Sequence, residues 1–107
     1  MLSHPGDRQT LNAMTAHGAD LSKPTEVNFY LYLPTRAAAE AAVEEVRRSG
    51  YVAEVRPPLP GYDTWLCFAI RDMLTSPEAI DLARVGFEAL AQRFNGEFDG
   101  WEAAIAL

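Results

Sequence analysis

The side chains best suited to acid–base or nucleophilic work are few: the imidazoles of His4 and His17 and the single thiol of Cys67. Histidine titrates nearest neutral pH and is the usual proton shuttle, but both histidines fall in an N-terminal stretch of weak periodicity, away from any predicted cleft. Cys67 stands within the apolar run Thr64 to Ile70, where a free cysteine reads as a small buried apolar residue. A lone cysteine permits no internal disulfide, and no His/Cys/carboxylate spacing resembles a metal site. There is no glycine-rich phosphate loop and no nucleophile elbow. The sequence therefore predicts no enzyme, no cofactor and no metal.

Recognition chemistry is better represented. Phe98-Asp99-Gly100-Trp101-Glu102 sets carboxylates among aromatic rings around a glycine, and glycine inside a strand marks a bulge or a close backbone approach. Two readings are open. Asp99 caps a bend while Trp101 packs over the sheet with its indole N–H paired, or the cluster is a recognition patch. Fifteen acidic residues against nine basic ones give a formal charge of −6, with Lys23 the single lysine. That balance repels phosphate backbones and acidic membrane surfaces and favours basic partners. No apolar stretch reaches signal-peptide length or the roughly 20 residues needed to span a bilayer, so a cytoplasmic protein with no membrane contact is expected.

These side chains need elements to hold them, and 107 residues suffice for one domain. Residues 1–24 read as an N-terminal segment, partly ordered or carrying a short helix within Asp7 to His17 that presents Leu11 and Met14. Gly18 would end that helix, and Asp20 to Pro24 reads as a linker, because the residue before proline is pushed out of the helical region. The domain proper is predicted over 25–107. Val27 to Leu33 alternates with a period of two, placing Val27, Phe29, Leu31 and Leu33 on one face against Asn28, Tyr30 and Tyr32. Thr35 is a plausible N-cap for a helix with an Ala39, Ala42, Val43 and Val46 stripe. Its outer face carries Arg36, Glu40, Glu44, Arg47 and Arg48, with Glu44 and Arg48 at i,i+4 spacing.

Tyr51 to Arg56 predicts a second strand, stopped by Pro57-Pro58-Leu59-Pro60-Gly61. Thr64 to Ile70 is apolar on both faces, as a central strand should be; Thr64, Leu66, Phe68 and Ile70 are expected under the helices and Trp65, Cys67 and Ala69 opposite them. Thr75-Ser76-Pro77-Glu78 opens a helix with Ile80, Ala83, Phe87, Leu90, Ala91 and Phe94 on its apolar side. Asn95-Gly96 reads as its left-handed C-cap, before a last strand from Glu97 to Ile105. The order β-α-β-β-α-β predicts an α+β ferredoxin-like sandwich, a four-stranded antiparallel sheet with two helices on one face and its first and third strands at the centre.

The uncovered face would then show Asn28, Tyr30, Tyr32, Val52, Glu54, Arg56, Trp65, Cys67 and Arg71, and so many rings call for a cover or a partner. Three covers are open: the N-terminal segment or a second copy of the chain, a docked protein, or stacked bases. Base stacking fits worst, because clustered lysine and arginine are missing.

Gly18-Ala19-Asp20-Leu21-Ser22-Lys23-Pro24, the strand end Tyr30-Leu31-Tyr32-Leu33-Pro34 and Phe98-Asp99-Gly100-Trp101-Glu102 together resemble the regulator of ribonuclease E activity B family over roughly residues 16–104. Phe98 stands where that family more often has tyrosine. The resemblance implies a compact α+β protein that binds the endoribonuclease at the heart of the bacterial RNA degradosome and restrains it by protein contact, without binding nucleic acid itself. The candidate partner-binding residues are Tyr30, Tyr32, Trp65, Asp99, Trp101 and Glu102. Apart from the resemblance, the residues also allow a homodimeric ferredoxin-like binding module or, less well, an RNA-binding domain.

Overall fold

Period-two alternation buries Val27, Phe29, Leu31 and Leu33 along β1 (Thr25–Leu33) and leaves Asn28, Tyr30 and Tyr32 half-exposed on its other side. The computed structural model describes residues 5–16, 18 and 22–103. Around β1 the elements run α1 (Pro5–Ala16), α2 (Arg36–Arg48), β2 (Val52–Arg56), β3 (Trp65–Met73), α3 (Pro77–Arg93) and β4 (Glu97–Ala103). The fold is α+β: a four-stranded antiparallel sheet in the order β2-β3-β1-β4, with β1 and β3 at its centre, and three helices. His4, His17, the Asp20-Leu21 part of the expected linker and the expected strand end at Ile105 lie outside the described residues.

Local signals account for the helix ends. The Thr35 hydroxyl accepts from the Ala38 N–H at 3.1 Å, and α2 buries Ala39, Ala42, Val43 and Val46 as its spacing predicts. Its outer ions pair as Arg36–Glu40, Arg47–Glu44 and Arg48–Glu45 instead of the expected Glu44–Arg48. Apart from the half-buried Glu45 these ions are exposed, and each exposed pair is worth less than about 1 kcal/mol. Ser76, one residue after Thr75, caps α3 by accepting from the Ala79 N–H at 3.2 Å, with Pro77 in the first turn. At the other end the left-handed residue is Asn95 (φ 56°), not Gly96, whose N–H reaches back to the Ala91 carbonyl at 2.8 Å.

The core lies between β1, β3 and the buried stripes of α2 and α3. Phe87 of α3 stacks between Phe29 and Phe98 at ring separations of 4.8 and 5.2 Å, and Tyr51 meets Phe29 and Phe87 edge-on. These rings fill the volume above β3. The strand accordingly turns its small residues inward, with Ala69 opposite Phe29 and Cys67 opposite Leu31. The expected faces of β3 are thus exchanged: Cys67, Ala69 and Trp65 pack on the helix side, and Leu66, Phe68 and Ile70 fall on the open side.

Burial pushes the Cys67 thiol up to about 11, so almost no thiolate forms in the native state at neutral pH. Cys67 is expected to resist alkylation until the protein unfolds. The alkylation rate measured against denaturant should therefore follow the unfolding transition, and rapid modification without denaturant would contradict the burial.

Helix α1 presents Leu11 and Met14 inward and packs on α3. Asp7, 1% exposed, anchors it through a bidentate pair with Arg84, both contacts 2.7 Å, and accepts from Trp101 Nε1 at 2.7 Å. The described part of the N-terminal segment therefore lies beside α3 and β4.

Candidate functional site

Strand pairing arranges the side of the sheet away from α2 and α3 into three rows. Val52, Ile70, Asn28 and Glu102 form the first; Glu54, Phe68, Tyr30 and Gly100 the second; Arg56, Leu66, Tyr32 and Glu97 the third. Glu26 and Asp72 face each other beyond the first row. The central strands supply the apolar and aromatic strip, with Glu26 and Asp72 at one end of it, and the edge strands supply the remaining charge. Five acids (Glu26, Glu54, Asp72, Glu97, Glu102) stand against one cation, Arg56, so 1 − 5 = −4 of the chain's −6 sits on this face.

That one cation is already engaged. Arg56 holds Glu54 at 3.1 Å while its guanidinium lies 3.9 Å above the Phe68 ring, and Tyr30 flanks the same ring at 5.4 Å. Glu102 accepts from the Tyr30 hydroxyl and, at 3.4 Å, from the Asn28 amide. The hydrogen bond from Tyr30 holds the Glu102 carboxyl below its ordinary range, and the same bond raises the Tyr30 hydroxyl. A depressed carboxyl contributes stability that is present above its unfolded value and lost as pH falls through the folded one, whereas a raised tyrosine loses its contribution as pH climbs through the alkaline range. The pair is expected to persist between those limits. A pH titration of the Tyr30 ring resonances should show an acid transition that Glu102→Gln abolishes, and a titration without that transition would refute the coupling.

Of the sequence-predicted residues, the structure brings Tyr30, Tyr32 and Glu102 together on this face. Asp99 is the extra residue of a β-bulge: Tyr30 pairs with Gly100 and Leu31 with Phe98, and Gly100 takes φ +123° to accommodate it. Asp99 is exposed there. Trp65 and Trp101 pack instead on the helix side, the former with the Arg36 guanidinium 5.9 Å from its ring and the latter bonded to Asp7. Arg71, expected on the open face, also turns to the helix side, 5.2 Å from the Tyr51 ring.

Leu66, Phe68, Ile70 and Glu97 were not predicted on the face. The signal for them lies in pairing register, because β1 has an unambiguous inward set and antiparallel partners share a face. The Asp7–Arg84–Trp101 cluster had a signal too: Arg84 interrupts the inward stripe of α3 between Ala83 and Phe87, and a cation in that position needs a buried acid.

Among the described residues no group of three or more His, Cys, Asp and Glu side chains could hold a metal ion, and no helix is long and apolar enough to cross a membrane. Comparison with curated proteins gives no match. The family model for regulator of ribonuclease activity B matches residues 4–103, nearly the full length, and the chain belongs to this RraB family of regulators of ribonuclease activity.

Proposed function

We propose that the chain binds a ribonuclease through its acidic, aromatic sheet face and restrains it by protein contact, acting in the cytoplasm on a ribonuclease E-like endoribonuclease of the RNA degradosome. The observation that carries this reading is the open face itself: a half-exposed strip of Tyr30, Tyr32, Leu66 and Ile70 between edge strands that hold three acids and one occupied arginine, with Glu26 and Asp72 closing one end of the strip. Such a surface matches an arginine-rich protein segment with interspersed apolar side chains and repels RNA. The occupant of the nuclease would be its basic, RNA-binding scaffold, so the regulator would compete with RNA or alter assembly without touching the catalytic centre. The β-α-β-β-α-β order suits this role as a ferredoxin-like sandwich, whose helices close one sheet face and leave the other free.

Affinity capture of the nuclease at low salt, with and without prior RNA digestion, is the direct test. Retention that survives digestion and weakens with salt is expected; no retention at low salt refutes the proposal. Glu54→Lys and Glu97→Lys should each weaken binding roughly fivefold and flatten its salt dependence, measured by titration calorimetry. Glu40→Lys, on the outer surface of α2, should leave affinity within about twofold.

A further inference from the structure

A surface helix ordinarily turns polar residues to water, and α2 does so with Arg36, Glu40, Glu44 and Arg47. Helix α3 turns Glu88 and Gln92 to water on one flank, but it departs from this rule along a second exposed line at i, i+4, i+7, i+8, i+11 and i+15, which carries Glu78, Leu82, Val85, Gly86, Ala89 and Arg93, with Leu82 at 75% and Val85 at 61%. Gly86 is the anomaly within this stripe. Glycine is the poorest helix former after proline, yet a Cβ placed at Gly86 would meet nothing within 4 Å, so nothing inside the chain requires its small size. A helix that gives up propensity in the middle of an exposed apolar stripe is shaped for the close approach of something outside it.

We propose that this something is a second copy of the chain, docked by antiparallel pairing of α3 about a two-fold axis between Val85 and Gly86. The register makes the stripe complementary to itself. Leu82 lies against the partner's Ala89 and Val85 against the partner's Gly86, large side chains over small ones, which lets the helix axes close to packing distance. At both ends Glu78 meets the partner's Arg93. Arg93 contacts Glu45 of its own chain through Nη2 alone, at 3.2 Å, with its side chain 59% exposed, so the rest of the guanidinium is available.

Two alternatives fit less well. The acidic sheet face cannot be an isologous interface without setting a charge of −4 against itself. The open groove of about 710 Å³ between α2 and α3 is lined by Leu82, Gly86, Ala89 and Arg93 but not by Glu78 or Val85, so an occupant of the groove alone would leave the exposed Val85 side chain in water. One helix pair buries less area than a permanent dimer requires, which sets the expectation of a weak, concentration-dependent association. Because α2 and α3 cover the opposite side of the sheet, the dimer leaves both acidic faces free, and a partner with repeated basic segments could engage them together.

Sedimentation equilibrium of the purified chain, from micromolar to near-millimolar concentration, tests the proposal without any ribonuclease. The mass average is expected to climb from the 11.8 kDa of one chain toward that of two. Val85→Arg should hold it at one chain throughout, with the circular dichroism spectrum and melting temperature of the parent. Glu78→Arg and Arg93→Glu should each weaken association roughly tenfold, and the double exchange should restore it, since only the antiparallel register re-forms both pairs. A mass that stays at one chain, a dimer that survives Val85→Arg, or a double exchange no better than the single variants would each overturn the proposal.

Discussion

Asp7→Ala is expected to lower the unfolding free energy by about 3–5 kcal/mol, a large share of what a domain of this size has. Asp7 is 1% exposed and Arg84 9%, and the carboxylate meets the guanidinium with two contacts of 2.7 Å while also accepting from Trp101 Nε1 at 2.7 Å. Three donors on two elements thus converge on one side chain. The hydrogen bond to Asp7 is the main reason the Arg84 guanidinium is held above its ordinary basicity. Glu88 holds Arg84 at 3.0 Å but is itself half in water, and the Phe98 ring lies 5.0 Å from the guanidinium carbon, so neither replaces the lost carboxylate. Removing Asp7 leaves a desolvated cation and an indole N–H without an acceptor, and this loss outweighs the pair's own net worth.

The reverse design separates the two contributions. Asp7→Ala combined with Arg84→Met removes both charges and should recover most of the stability, because exchanging a buried pair for apolar groups of similar volume is often close to neutral. Asp7→Asn, which keeps an acceptor for Trp101, should fall between the wild type and Asp7→Ala. Urea titrations followed by tryptophan fluorescence measure all three. A loss below about 1 kcal/mol for Asp7→Ala would show that α1 is not tied to the rest of the fold by this contact.

Where one level of the sequence spoke alone and clearly, structure followed it. The Ala39, Ala42, Val43 and Val46 stripe and the Thr35 cap of α2 were legible because spacing and capping are local properties of the chain. So was the inward set of β1, whose partners Asn28, Tyr30 and Tyr32 are plainly more polar. Strand β3 was not legible in the same way. Leu66, Phe68 and Ile70 are as apolar as Trp65, Cys67 and Ala69, so hydrophobicity cannot choose a face, and size misleads when the rings that fill the core come from other elements. That exchange moved Trp65 off the open face and put Phe68 onto it. Trp101 left the face for a different reason: the bulge at Asp99 adds a residue to β4, and residues on its two sides keep their inward direction only because Gly100 takes a left-handed turn. What remained of the predicted site, Tyr30, Tyr32 and Glu102, is the part that depended on β1 and on its pairing with the end of β4.

Two glycines of α3 and its exit should respond to the same substitution with opposite signs, and the second gives the larger effect. Gly86→Ala adds a methyl where nothing lies within 4 Å and raises helix propensity, so the dilute chain should gain about 1 kcal/mol. Gly96→Ala adds the same methyl in steric overlap with the Tyr32 carbonyl oxygen and 2.7 Å from Leu33 Cδ1. The first obstacle is backbone in the central strand β1, held by Tyr32–Leu66 and Tyr32–Glu97 pairing, and it cannot move without opening the ladder. Relief must come from α3 and β4, which Gly96 joins through its 2.8 Å bond to the Ala91 carbonyl. Displacing them loosens the Phe87–Phe98 stack, so a loss of about 3 kcal/mol or more is expected, at the upper end for an added methyl group because backbone and not a side chain stands in the way. Asn95→Gly tests whether the helix end matters by conformation instead: asparagine already tolerates φ 56°, and the change should stay within about 1 kcal/mol. If Gly96→Ala proved as mild as Asn95→Gly in denaturant titrations, the tight approach of α3's exit to Tyr32 would not be what fixes the helix against the sheet.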